Sequence, residues 1–342
     1  MMERRSFLAR ASGLALAAAA LAPGAGRAAP QRITLSVPGP GNLLYLPLSL
    51  APRIGADLAE GLSFDLSYSG GGPQSLRSLL ERNCDFAAAG LSALGLQRFN
   101  SRPLVCVVPL TRVPAYTLLV RAGLQGQVRR IADLQGRVVG VKGHVPGGRS
   151  TSQLFAEYLL SQAGLAPDRV NYVAAGQSYD SQLASLASGT VDAVVADEPF
   201  ATRLARQKVA FVLADYHELE TTRRLLGGLF LNGMLGTRTD MVAERPEVVE
   251  KVVRTVKRAL AWIDKHDAGQ MVEALAPAQP EERATLLEVL RRRKNIYAPD
   301  GRISDEQLDT VDRFLHVTEP ATKVLGFSVR SCVEARWAGS MP

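Results

Sequence analysis

The chain has 342 residues, of which 46% are hydrophobic, and its 40 Lys and Arg residues outnumber 33 Asp and Glu residues to give a net charge of +7. This composition excludes a disordered chain and suffices for two domains of about 100 to 200 residues each. Three cysteines without a CxxC pair exclude a disulfide framework and a structural metal site. The one dense basic run, Arg291 to Lys294, is typical of a solvated helix face, so no nucleic acid partner is expected.

The first 28 residues have the pattern of an export signal. The run from Glu3 to Leu8 contains the Arg-Arg pair of a twin-arginine signature, a weakly apolar stretch follows from Leu14 to Ala22, and cleavage is expected after Ala28. That stretch is far shorter than the ~20 residues that span a bilayer. We therefore predict a twin-arginine signal peptide over 1–28 and a periplasmic location. The leader carries three of the seven net positive charges, which leaves +4 for the exported chain.

The next residues predict alternating strands and helices with glycine-rich turns between them. Strands are predicted over 32–37, 62–68, 85–89 and 104–110, and helices over 43–50, 74–82 and 91–99. A second set follows a Pro-containing break at 111–114, with strands over 116–120, 137–142, 170–174 and 191–196 and helices over 150–163, 179–187 and 199–206. A strand over 227–237 then precedes helices over 246–266, 268–276, 281–294, 304–314 and 332–337.

Repeated strand–helix units favour an α/β fold with two parallel sheets flanked by helices. We predict that residues 31–113 and 222–342 form lobe 1 and that residues 114–221 form lobe 2, which is inserted into lobe 1. The chain then crosses between the lobes near 111–116 and 214–227, and these crossings form a hinge. A ligand is expected in the cleft where the carboxyl ends of the strands of both sheets face each other.

The turns that face this cleft carry glycines and hydroxyl residues at predicted helix starts. Helix N-termini present unpaired N–H groups and a partial positive charge, so several of them around one cleft favour an anion. Gly, Ser and Thr are also common in turns and caps for purely structural reasons, and for any single loop that explanation is preferred. Taken as a set, the candidate ligand-binding residues are Gly41, Asn42, Gly71, Gly72, Ser92, Arg112, His144, Arg149, Ser150, Thr151, Gln177, Asp197 and Glu198.

Several segments resemble one family of transport proteins. They are 133–141, Ser150 to Ser152, 163–168, 187–193 with Glu198-Pro199, and in the predicted first lobe 69–72, 84–90 and 334–337. They look like the nitrate/sulfonate/taurine class of ABC-transporter substrate-binding proteins, a group that also includes thiamine-precursor binders. This resemblance implies a type II periplasmic binding protein fold. The residues themselves predict a helical C-terminal part from 246 onward, the helix starts favour a small anionic solute, and no motif indicates a cofactor. The resemblance also implies a monomer that docks on an inner-membrane ABC permease.

An enzyme on the same fold, or a binder of a thiamine-pyrimidine precursor, remains the alternative. The chain lacks a GxSxG elbow and an HExxH motif, and its four histidines are dispersed. Related pyrimidine-forming enzymes carry a dense cysteine cluster, whereas Cys84, Cys106 and Cys332 are isolated here. Cys84 and Cys106 are expected as buried thiols, and a disulfide between them stays open.

Overall fold

The structure, a computed structural model, describes residues 29–143 and 148–338. The strands of this part are β1 Gln31–Val37, β2 Leu62–Tyr68, β3 Phe86–Gly90, β4 Leu104–Pro109, β5 Thr117–Arg121, β6 Val138–Val141, β7 Asn171–Ala174, β8 Ala193–Ala196, β9 Ala210–Asp215 and β10 Gly233–Arg238.

Helices cover both sheets and form most of the C-terminal part. They are α1 Leu46–Leu50, α2 Gly72–Leu80, α3 Leu91–Phe99, α4 Thr151–Gln162, α5 Tyr179–Ala187, α6 Phe200–Arg206, α7 Leu219–Leu226, α8 Thr239–Glu244, α9 Pro246–Lys265, α10 Ala268–Leu275, α11 Pro280–Arg293, α12 Asp305–Thr318, α13 Pro320–Val324 and α14 Ala335–Ala338. Throughout 29–143 and 148–338, no helix has the length and apolar character needed to cross a membrane. The predicted leader lies outside the described residues.

The two five-stranded sheets have the same layout. The first sheet has the order β2-β1-β3-β10-β4, and the second has the order β7-β6-β8-β5-β9. In each sheet three neighbouring strands are parallel, and the fourth in order is antiparallel to both of its neighbours. The first sheet takes strands from both sides of the segment that forms the second. The predicted α/β fold, with two lobes and the second inserted into the first, is confirmed. The prediction of parallel sheets is wrong, because β5 and β10, the strands that follow the two crossings between the lobes, run antiparallel to their neighbours.

Two connections join the lobes, from β4 to β5 and from β9 to β10, and they pair with each other. Ala115 donates its N–H to the carbonyl of Tyr216 at 3.1 Å, and Tyr216 donates to the carbonyl of Tyr116 at 2.9 Å. The predicted lobe boundary at 113/114 falls within the first connection and the boundary at 221/222 within helix α7 of the second, and their positions stay a prediction.

The second connection differs from the sequence prediction. Strand β9 and helix α7 were not predicted, and the return strand begins at Gly233 rather than at 227. Gly227 instead ends α7 in the left-handed region, with φ 75°. The apolar residues after it enter the core between the lobes, where Phe230 donates its N–H to the carbonyl of Arg112 at 3.1 Å. Burial at the hinge therefore explains their apolar character.

Aromatic rings fill the space behind the hinge. The Phe155 ring of α4 lies 5.1 Å from Tyr216 and 5.5 Å from Tyr116, measured between ring centroids. Phe314 of α12 lies 4.9 Å from Phe230 and also packs on Phe155. These rings come from both connections and from helices on either side of them, so they tie the lobes together at the pivot.

Helix α9 shows how the C-terminal part joins the first lobe. Its first turn contains Pro246, where a missing N–H costs nothing. Its apolar residues recur at helical spacing and pack against α1 and β4. The buried residues of this stripe are Val248, Val249, Val252, Val253, Val256, Ala259, Leu260 and Ile263.

The Phe314→Ala variant should lose about 3–5 kcal/mol of unfolding free energy, because the fully buried ring would leave a cavity among its three aromatic neighbours, Phe155, Tyr158 and Phe230. Urea denaturation followed by circular dichroism measures this loss. Val324→Ala, at a position that is 82% exposed, should change the free energy by about 0.5 kcal/mol or less. Equal effects of the two substitutions would contradict the role of the aromatic core.

Candidate functional site

Loops that follow strands of the two sheets meet along one line between the lobes. Leu43 of the first lobe donates its N–H to the carbonyl of Glu198 in the second at 3.0 Å. A Cβ atom on Gly71 would lie only 2.6 Å from the Cα of Gly143 in the opposite lobe. The lobes are therefore closed on each other. We call this contact the seam; it comprises loops 38–43, 69–72 and 90–92 of the first lobe and 142–143, 150–152, 175–178 and 197–200 of the second.

A buried ion pair lies at the seam. Lys142, directly after β6, is 6% exposed, and its Nζ donates to Oδ1 of Asp197, which directly follows β8 and is 1% exposed. Asn42 of the first lobe donates its Nδ2 to the other carboxylate oxygen at 2.6 Å. Both oxygens of Asp197 are therefore engaged by the protein. Among the described residues, Asp197 is the only side chain bonded to the Lys142 ammonium, which has two more N–H donors to offer.

The ion pair holds the lysine charged against the effect of burial. Burial lowers the pKa of Lys142 from its ordinary value, because the charged form loses water, while the carboxylate of Asp197 raises it again. Removing one partner of such a pair would leave a buried charge unpaired and cost about 3–5 kcal/mol. Lys142 and Asp197 thus depend on each other.

Two tyrosines place phenol groups near the same carboxylate. Tyr45 lies at the end of the short 3₁₀ helix Leu43–Tyr45, and Tyr116 lies in the first hinge connection. Burial raises the pKa of both phenols well above the ordinary range, and the charge of Asp197 adds to this increase. Both groups therefore stay protonated at neutral pH and can donate hydrogen bonds.

The starts of α3 and α4 face each other across the seam. The hydroxyls of Ser92 and Thr151 are 3.0 Å apart, and both residues are buried. Gly90, just before α3, has no side chain, and a Cβ atom there would lie 2.7 Å from the Cβ of Thr151. Two helix N-termini therefore converge on one buried hydroxyl pair, an arrangement that favours negative charge.

Three amide side chains along the seam have a buried polar atom without a hydrogen-bond partner in the described residues. They are Gln74 Oε1, beside Gly143; Gln177 Nε2, beside Gly39; and Asn232 Oδ1, near Gly90. Buried polar atoms are nearly always hydrogen-bonded in folded proteins. A ligand or a water molecule held between the lobes would satisfy them.

The structure brings some of the predicted residues together at this cluster. Asn42, Ser92, Thr151 and Asp197 take part in the contacts described above. Ser150 is the N-cap of α4 and accepts a hydrogen bond from the N–H of Gln153 at 3.2 Å. The other residues that line the seam are Gly41, Gly71, Gly72 and Gln177.

The predicted basic groups are placed differently. Arg149 donates to Glu157 at 2.8 Å and pairs with Glu319, so its charge is already neutralised. Arg112 donates its Nε–H to the carbonyl of Asn295 at 3.0 Å. The expectation that these arginines would face a ligand therefore finds no support in their contacts. His144 lies outside the described residues.

Glu198 is buried but turns its carboxylate away from the seam. It accepts hydrogen bonds from the N–H and hydroxyl of Thr202 at 3.0 and 2.8 Å, and its Oε1 lies 3.8 Å from Nε of Arg293. Its backbone carbonyl, rather than its carboxylate, contacts the loop after β1. Glu198 therefore orders the start of α6 rather than the cleft.

The sequence prediction missed Lys142, Tyr45, Tyr116 and Asn232. Lys142 could have been found, because it directly follows a strand of a parallel sheet, where ligands bind. The tyrosines lie in apolar stretches and look like ordinary core residues. In 29–143 and 148–338, no group of three or more His, Cys, Asp or Glu side chains is arranged to hold a metal ion.

Proteins of known structure share this fold. A protein of Bordetella bronchiseptica RB50 superposes with a TM-score of 0.81 and 21% identity over 91% of this chain and 96% of that one. The alkanesulfonate-binding protein SsuA from Xanthomonas axonopodis pv. citri, bound to MOPS, gives 0.67 and 20% over 90% and 99%.

Two further solved structures, a binding protein and an enzyme, have the same fold. The periplasmic nitrate-binding protein NrtA from Synechocystis PCC 6803 gives a TM-score of 0.67 and 12% identity over 90% of this chain and 87% of that chain. The desulfurization enzyme DSZB gives 0.59 and 17% over 91% and 96%. At these identities the likeness establishes the fold alone.

Sequence comparison identifies the family. YtlA of Bacillus subtilis (strain 168), whose name assigns it provisionally to the binding proteins, is 20% identical over 284 residues, or 80% of each protein. The family model described as NMT1/THI5 like matches residues 58–269, which is more than half of the chain. The chain therefore belongs to the NMT1/THI5-like family.

Proposed function

We propose that this protein is the periplasmic substrate-binding component of an ABC importer, exported by the twin-arginine route. It captures a small anionic solute of the sulfonate, nitrate or carboxylate type in the seam and delivers it, as a monomer, to an inner-membrane permease. The observation that carries this proposal is the buried Lys142 ammonium, which keeps two N–H donors available where both lobes meet. The alkanesulfonate- and nitrate-binding proteins of the same fold support it.

The Lys142 ammonium should contribute more to the free energy of anion binding than any other group of the proposed site. A hydrogen bond to a charged group contributes about 1.5–3 kcal/mol, whereas an exposed helix start contributes about 0.3–1 kcal/mol. The helix starts at Ser92 and Thr151 and the phenol of Tyr45 then add donors around the anion. The proposed site consists of Asn42, Tyr45, Ser92, Lys142, Thr151, Asp197 and Asn232, with Gly41, Gly71, Gly72, Ser150 and Gln177 shaping its walls.

A binder of a thiamine-pyrimidine precursor is the second candidate. The unpartnered Gln74 Oε1 is an acceptor and Gln177 Nε2 is a donor, and together they would suit a neutral ring that carries both kinds of group. Catalysis is less well supported. All three cysteines are buried free thiols, and burial raises the pKa of Cys332 to about 12. Such thiols are poor nucleophiles at neutral pH.

The Lys142→Met variant should bind anions about 10- to 100-fold more weakly than the wild type, because it removes the charged donor. Isothermal titration calorimetry with methanesulfonate, nitrate, acetate and a hydroxymethyl aminopyrimidine measures this. Lys265→Met, which removes an exposed lysine at the end of α9, is the control and should bind normally.

The Lys142→Met variant leaves the buried carboxylate of Asp197 without an opposite charge, which destabilises the fold. The double variant Lys142→Met/Asp197→Asn therefore removes both charges. It should be folded and should not bind anions. Anion affinity equal to that of the wild type would contradict the proposal, and selective binding of the pyrimidine would favour the second candidate.

Anion affinity should fall as pH rises. Burial lowers the pKa of Lys142 below its ordinary 10.5, so the ammonium loses its proton at a lower pH than an exposed lysine. In Asp197→Asn the opposing carboxylate is gone, and the loss of affinity should begin at lower pH still. Titrations between about pH 6 and pH 10 test this order. Identical pH profiles for the two proteins would show that Lys142 does not hold the anion.

The Gly90→Ala variant should hinder closure of the lobes. The backbone of Gly90, with φ −86° and ψ 144°, suits alanine, but the new Cβ would collide with Thr151 across the seam. Affinity should fall about 5- to 100-fold, and small-angle X-ray scattering with ligand should show a larger radius of gyration. Gly123→Ala, at an exposed position, is the control. Normal affinity in Gly90→Ala would mean that binding does not need this contact.

A further inference from the structure

Helix α11 is attached to the first lobe at both of its ends. Before its first turn it is joined to α10, on which it packs, and α10 follows α9 of the first lobe. Beyond its last turn, Tyr297 donates its hydroxyl to the carbonyl of Leu43 at 2.8 Å. Its apolar residues Leu286, Val289 and Leu290 are buried in the same core cluster as the apolar stripe of α9. We therefore treat α11 as part of the first lobe.

A second face of α11 contacts helix α6 of the second lobe through polar groups. Arg203 of α6 donates to both carboxylate oxygens of Glu281, at 3.2 and 3.1 Å. Its guanidinium also lies 3.7 Å above the centroid of the Tyr179 ring, which holds it in place. Arg206, one turn further along α6, donates to the hydroxyl of Thr285 at 3.0 Å. The polar residues of this face of α11 are Glu281, Thr285, Glu288 and Arg292.

The apolar side chains of α6 and α11 lie in different hydrophobic clusters. Phe200, Ala201 and Leu204 of α6 are buried in the small cluster of the second lobe, which contains no residue of α11 within the described part of the chain. Polar groups that separate can exchange their partners for water, whereas apolar surfaces that separate become exposed to it. The contact between α6 and α11 is therefore of a kind that can break and form again.

The two ends of α11 lie at different distances from the hinge. In its last turn, Arg293 donates to Glu218 at 2.8 Å and pairs with Asp215, and both carboxylates belong to the connection from β9 to β10 or its border. Glu281 lies about 18 Å nearer the start of the helix. A rotation of the lobes about the hinge therefore separates Glu281 from Arg203 more than it separates Arg293 from its partners.

We propose that Arg203 and Glu281 form a clasp, an ion pair that exists only when the lobes are closed and that holds them closed around the anion. The inference rests on the proposed function, since a receptor must open to admit a solute to the buried Lys142. Both are positioning residues, because they act through closure of the lobes. An exposed ion pair shifts an equilibrium by up to about 5-fold. Gln207 donates to the same carboxylate at 3.1 Å, and Arg206 lies 3.7 Å from it, so we expect about 10-fold for the clasp.

Two spin labels measure the separation of the lobes without any ligand. Ala187 ends α5 in the second lobe, Glu247 lies in the first turn of α9 in the first lobe, and both are exposed. The substitutions Ala187→Cys and Glu247→Cys provide the attachment points. The three native cysteines are at most 4% exposed, so the label should react with the new thiols. Pulsed electron paramagnetic resonance on the full protein then gives the distribution of distances.

Reversal of one charge should open the protein, and exchange of both charges should close it again. In Glu281→Arg the new cation faces Arg203 and Arg206, so the ratio of short to long distances should fall about 10-fold relative to the labelled parent. The exchange Arg203→Glu/Glu281→Arg should return the ratio to within about 3-fold of the parent. Glu282→Arg is the matched control, because Glu282 is exposed in the same turn and has no ion pair in the described residues.

Isothermal titration calorimetry with methanesulfonate tests whether the clasp affects binding. Affinity should fall about 10-fold in Glu281→Arg, recover in the exchanged variant and stay unchanged in Glu282→Arg. A parent without short distances, equal distances in the parent and Glu281→Arg, or no recovery in the exchanged variant would overturn the inference. Normal affinity of an opened Glu281→Arg would also overturn it. If methanesulfonate does not bind the parent while the distances follow the expected order, the result counts against the proposed function and supports the clasp.

Discussion

A lysine ammonium cannot remain charged inside a protein without partners, and in this chain that requirement falls on Lys142. Asp197 supplies the opposite charge from the end of a neighbouring strand, and Asn42 reaches the same carboxylate from the other lobe. Burying an unpaired ion would cost several kcal/mol, so the pair must be in place within the second lobe. Contact between the lobes then completes the hydrogen bonds of the carboxylate. The carboxylate of Asp197 therefore both neutralises Lys142 and takes part in the contact that closes the lobes.

Most of the fold could be predicted because its signals are local. Runs of β-branched residues, glycine-rich turns and amphipathic helices repeat in order, and the ends of α5 agree with the prediction to the residue. Strand β9 was missed although it is apolar, because it forms an edge of the second sheet and its side chains are only partly buried. Helix α7 is mostly polar, and one apolar stripe of two turns is a weak signal. The Pro-containing break at 111–114 and the strand predicted over 227–237 indicated where the chain crosses between the lobes.

The candidate site was harder to predict, since its members gain their roles from distant partners. Helix starts such as Ser150 can be found from a short stretch of sequence. Lys142 and Asp197 are 55 positions apart, and nothing near either residue indicates the other. The same reason explains why the sequence does not reveal the ion pair of Arg149. Its carboxylate partner Glu319 lies 170 positions away, so the sequence around Arg149 does not show that its charge is neutralised.

Helix α11 contributes to neither sheet but forms part of the wall of a cavity of about 650 Å³ beside the seam. Its first turn is exposed and meets the second lobe through the pair of Arg203 and Glu281. Exposed substitutions of this kind usually change stability by about 0.5 kcal/mol or less, whereas a change at Lys142 or Asp197 disturbs a buried charge. Substitutions in this first turn can therefore change the shape of the cavity while the ion pair of Lys142 and Asp197 stays intact.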